Sequence, residues 1–214
     1  MALAPKIKTK KNMNEQEKKS SVIKRQRWTI GSIVEVKVED YYVYAQITEK
    51  KDLAFFDYQA TEPLISFEIL ESTPILFIVS VYSDVITKGV WLKVGKMPLR
   101  TECQGTTVEF IFDTINYKFE LYIRNKDSFK TIPCEKKDIL GLECCAVWEA
   151  LAIEDRIACH YKGEISIWME NEYDIFGHKW CKENGINYDP AKRKSVRPAY
   201  LEGYLKTHPF YDEQ

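Results

Sequence analysis

A chain of 214 residues with 45% hydrophobic and 13% aromatic side chains can bury one real core plus an extension, which excludes wholesale disorder. Its formal net charge of -1 is unevenly spread: residues 1–27 hold nine Lys or Arg against two Glu, leaving 22 basic and 30 acidic residues over 28–214. That acidic excess suits a basic partner and opposes nucleic-acid phosphates, and the absence of any run of 18 apolar residues excludes a membrane-spanning helix.

Residues 1–24 are mostly Lys, Glu, Gln, Asn and Ser, so a mobile basic arm is expected, with the folded domain starting at Trp28. The stretch Met1–Ser21 lacks the apolar centre of a secretory signal, which points to a cytoplasmic protein with its six cysteines reduced. Over Ser32–Val38, Val34, Val36 and Val38 alternate with polar neighbours, the period of a strand. Glu39-Asp40 breaks the run. Tyr41–Thr48 resumes it, with Tyr41, Val43, Ala45 and Ile47 on one face and Tyr42, Tyr44 and Gln46 on the other, giving an antiparallel hairpin. Leu53–Tyr58 is a third strand and Phe67–Leu70 a weaker fourth.

Ile75–Tyr82, apolar at nearly every position, predicts a strand covered on both faces. Val85–Val94 follows, interrupted by Gly89. Val108, Phe110 and Phe112 then alternate before the turn Asp113–Asn116, and Tyr117, Phe119, Leu121 and Ile123 alternate back as a second hairpin. From Leu142 to Tyr161 the apolar spacing changes to three and four, which predicts one helix, with Gly163 as its stop. Residues 165–182 suggest a further helix. The expected fold class is α+β: a strongly bent antiparallel sheet or partly open barrel over Trp28 to about Lys130, then a packed helix. Its organisation is an arm (1–27), a domain (28–162) and a C-terminal extension packed on that domain (163–214).

Nothing in this order assembles a catalytic centre. The three histidines, His160, His178 and His208, fall in the last quarter. Cys159 precedes His160, but adjacent helical side chains diverge by roughly 100° and do not face one another. Cys159, His160, His178 and Cys181 contain a single H-x-x-C step, whereas structural zinc sites show two close ligand pairs. No catalytic residue, no metal and no cofactor is therefore expected. The alternative to a protein-binding role is a nucleic-acid-binding β-barrel that uses the basic arm, and the acidic folded part argues against it.

The segments Gly31–Val36, Tyr44–Ile47, Phe55–Asp57, Pro74–Phe77, Gly89-Val90-Trp91, Val94–Leu99, Ala146-Val147-Trp148 and Glu154–Ile157 follow one another in this order. Together they resemble the immunity protein 26 family of bacterial polymorphic toxin systems. The resemblance runs from about Trp28 to Ile157. It implies a non-enzymatic antidote that binds a cognate toxin domain, with no nucleic acid or membrane as partner, and it brings no contact residues. Trp91 and Trp148 are expected in the core. The toxin-binding face is expected on the first hairpin, with Glu39 and Asp40 at the turn for steering and Tyr42 and Tyr44 pointing outward beside them, the alternative being that these tyrosines pack under the C-terminal segment.

Overall fold

In a computed structural model, residues 25–139 and 142–164 are described, together with Ser166 and Trp168. The arm 1–24 and nearly all of the anticipated extension and its helix over 165–182 lie outside the described residues.

The alternating stretches form strands as expected. β1 (Ser32–Val38), β2 (Tyr41–Ile47) and β3 (Leu53–Ala60) make an antiparallel meander. After a short helix α1 (Ile69–Ser72), β4 (Ile75–Val81) pairs antiparallel with β3. A second short helix, α2 (Asp84–Thr87), leads into β5 (Leu92–Lys96), which returns to the free edge of β1. On the far edge the two-residue β9 (Val147–Trp148) lies parallel to β4, so the order is β5-β1-β2-β3-β4-β9. Register shifts at Ile33/Val34, Val43/Ala45 and Phe55/Phe56 supply the bend, because an extra residue in one strand kinks it and tightens its twist. The sheet stays open. β6 (Thr107–Asp113), β7 (Lys118–Arg124) and β8 (Phe129–Cys134) form a separate three-stranded antiparallel sheet.

Helix α3 (Ala150–Lys162) covers one face of the larger sheet. Its Ala152, Ile153, Ile157 and Ala158 join Val34, Val36, Val43, Ile47, Phe55, Val79 and Trp91 in the main core. The other face holds a smaller cluster of Ile33, Tyr44, Phe56, Leu70 and Met97 beneath the 61–72 segment. Gly95 is required there, since a Cβ on it would stand 2.1 Å from the Phe67 ring. Gly163 ends α3 at φ 67°, with the Glu164 amide donating 2.8 Å to the Cys159 carbonyl.

Five expectations are corrected. The helix anticipated over Leu142–Tyr161 begins only at Ala150, because the preceding stretch gives its backbone to sheets. Phe110 donates to Glu143, Cys145 donates to Phe110, and Val147–Trp148 pair with β4. Cys144 and Cys145 are therefore not helical. Phe67–Leu70 leads into the α1 turn rather than forming a strand, and Val85–Val94 splits into α2 and β5 around Gly89 at φ 71°. The single sheet is two. In β4 only Phe77, Val79 and Val81 are buried, so its second face is only partly covered.

Candidate partner-binding surfaces

The first hairpin closes on the two-residue turn Glu39-Asp40, with Val38 opposite Tyr41. Both carboxylates are exposed, and Glu39 adopts φ 49°. The tip does not stand alone. Glu39 forms an ion pair with Lys162 at the end of α3, and the Tyr41 and Tyr161 rings meet edge to face with centroids 5.6 Å apart. Burial and the nearby Asp57 carboxylate push the Tyr161 hydroxyl well above its ordinary range. Tyr42 is half-buried, with the Lys37 ammonium 5.9 Å from its ring centroid.

Tyr44 departs from the expected outward position: it is fully buried. The reason is the second cluster, in which the 61–72 segment closes over this face of the sheet. Its hydroxyl donates to Glu35 at 3.0 Å and accepts from the Leu64 amide at 2.8 Å, and burial lifts its pKa to about 12. Tyr44 thus ties the covering segment to the sheet. Glu39 reaches the α3 side of the sheet through Lys162, whereas Tyr42 packs on the opposite face, with the cluster that buries Tyr44.

Cys159 and His160 diverge as adjacent helical residues do. The Cys159 Sγ sits 4.0 Å from the Asp155 carboxylate inside the fold, while His160 Nε2 is 3.3 Å from Asp57 on the outside. His178 and Cys181, the remaining members of the weak metal set, lie outside the described residues. Among the described residues, no group of three or more His, Cys, Asp or Glu is placed to hold a metal ion.

The densest charge lies between the sheets. Arg124 on β7 donates to Asp52 at 2.6 Å and stands 3.6 Å from Glu109 on β6, while Ser80 on β4 donates to the other oxygen of Asp52 at 2.6 Å. Burial raises the Glu109 pKa to about 7, with Arg124 working in the opposite direction. One step away, Arg156 on α3 grips Glu143 through two bonds of 2.7 and 3.0 Å and lies 3.8 Å over the Phe77 ring. Each charge in this seam has a partner of opposite sign, which suits a structural joint rather than a reacting centre.

A further surface escaped the sequence reading. The end of β4, α2, the turn before β5 and the start of α3 enclose a groove of about 350 Å³, lined by Tyr82, Val85, Val90 and Leu151 with Asp84 and Glu149 at its rim. The available signal was a repeated Val-Trp pair, Val90-Trp91 and Val147-Trp148. Both Trp rings are in the core as expected, and both valines point to solvent.

Residues 23–121 match the family model described as Immunity protein 26. The match begins before Trp28 and ends inside β7, so the Ala146–Trp148 and Glu154–Ile157 segments lie beyond it. No curated protein and no solved structure matches the chain.

Proposed function

We propose that this chain, whose residues 23–121 match the immunity protein 26 family, neutralises a cognate bacterial toxin domain by tight, stoichiometric binding without chemistry of its own. The family match carries this reading. The architecture supports it: paired charges serve as joints, and the exposed features are carboxylates and apolar side chains of the kind that make protein contacts. The site of action is the cytoplasm of the bacterium, where a toxin would meet its target. No helix among the described residues is long and apolar enough to cross a membrane.

Within this proposal, Glu39 and Asp40 steer a basic toxin surface toward the hairpin and Tyr42 contributes contact area, while Tyr44 acts from below by holding the sheet face in shape. The test is co-expression with the C-terminal domain of the toxin encoded beside this protein, followed by titration of the purified pair. Protection complete only at one antidote per toxin supports stoichiometric capture. Protection at a small fraction of that ratio means turnover, and continued killing despite abundant folded antidote sinks the reading.

A further inference from the structure

The groove at the start of α3 is bounded by apolar side chains that the fold leaves in water although it has a core to put them in. Tyr82 is 51% exposed, Val90 57% and Leu151 75%. Isolated exposed apolar residues need no explanation, but three around one concavity form a patch of the kind that marks a contact surface.

Its walls are held rigidly. The Trp91 ring is buried behind Val90, with its indole N–H donating 2.8 Å to Glu154 on α3 and its amide 3.0 Å to the Val85 carbonyl. The Tyr82 amide donates 3.1 Å to the Trp148 carbonyl, which ties β4 to the residue just before Glu149. Trp91 therefore locks the neighbouring Val90 outward, and the groove needs little ordering when something enters it.

The rim sets the sign of the occupant. Asp84 is paired with Lys88 at 3.1 Å, while Glu149 is exposed and makes no ion pair among the described residues. Residues 28–214 carry 30 acidic against 22 basic side chains, so the wider field has the same sign. We infer that this groove is the apolar anchor point for the toxin domain, receiving an aliphatic or aromatic toxin side chain flanked by Lys or Arg that faces Glu149. This rests on the neutralisation reading and adds to it a place and a chemistry.

The experiment measures binding of the full chain to the neighbouring toxin's C-terminal domain, at low and high salt, for wild type, Leu151→Asp, Val90→Asp and Glu149→Lys. All three positions are exposed, and unchanged thermal midpoints establish that the variants fold. Leu151→Asp and Val90→Asp should each weaken binding about 30-fold or more, mainly through faster dissociation, as loss of a central contact does. Glu149→Lys should slow association and flatten its salt dependence. If the three folded variants bind within about twofold of wild type, the groove is not the anchor although the antidote reading stands. If wild type itself fails to bind the domain, the antidote reading falls and the groove assignment with it. A third outcome also overturns the assignment: unchanged toxin affinity combined with faster tryptic removal of residues 1–24 in Leu151→Asp means that the chain's own basic arm fills the groove.

Discussion

Glu39 holds φ 49°, a conformation that costs a side-chain-bearing residue about 1–2 kcal/mol and glycine almost nothing. Glu39→Gly relieves that strain but frees the unfolded chain and removes the exposed, solvent-screened pair with Lys162. The effects offset, and urea unfolding should show stability within about 0.5 kcal/mol of wild type. Glu39→Val keeps the strain and adds β-branching, so it should lose about 1–2 kcal/mol. Glu109 gives a second test at this scale. Its folded pKa of about 7 lies above the ordinary 4.5, so between those values the folded protein holds a proton that the unfolded chain has released. Stability from this group is therefore present at low pH and declines as pH rises toward 7. Glu109→Gln, which cannot ionise, should lose that slope. Thermal midpoints at pH 5 and pH 8 should differ less in the variant than in wild type, and equal differences would falsify the assignment.

At the scale of elements, the strands with one clearly apolar face were legible. Val34, Val36 and Val38 against Glu35 and Lys37 can satisfy only one register, and β1 and β2 pair in it. The start of α3 was not legible, since Leu142 and Ala146 continue the helical spacing by coincidence while their segment runs extended against β6 and β4. Nor was the cover over Tyr44, because alternation places a residue on a face and says nothing of what later packs on that face. The Glu39–Asp40 turn and the inward tryptophans were readable from local pattern; the apolar groove was not, because it needs four elements brought together in space. What fixes α3 is equally non-local. Trp91 donates from the turn before β5 to Glu154 on the helix, so Glu154→Leu leaves an indole N–H unpaired at a buried ring. The expected loss is about 1–3 kcal/mol in chemical denaturation. Trp91→Phe combined with Glu154→Leu removes both partners and should cost less than the sum of the single changes, a coupling that a double-mutant cycle reads directly.

At the scale of the molecule, a charged seam runs from the larger sheet to the smaller one. The main core draws on β1 to β4, the α2 and β5 region, β9 and α3, whereas Asp52, Ser80, Glu109 and Arg124 bridge from that sheet to β6 and β7. A seam of this kind is directional and unforgiving, because removing its cation leaves two carboxylates facing each other away from water. Arg124→Met keeps the length of the side chain and deletes the charge, which should cost about 3–5 kcal/mol near neutral pH. The loss should shrink on acidification. Without Arg124 the Glu109 carboxyl keeps its proton more readily in the folded state, so the penalty is mild near pH 5 and grows toward pH 8 as that proton leaves. Hydrogen exchange locates the effect. If the seam is what couples the sheets, amides of β6, β7 and β8 should exchange faster in the variant while those of β1, β2 and β3 keep their wild-type protection relative to global unfolding. Equal acceleration in both sheets would instead mean that they open as one cooperative unit, joined by more than the seam. Arg124→Lys separates charge from geometry. It restores the cation without the planar fork that reaches Asp52 and Glu109 together, and should recover the pH dependence of wild type but only part of its stability.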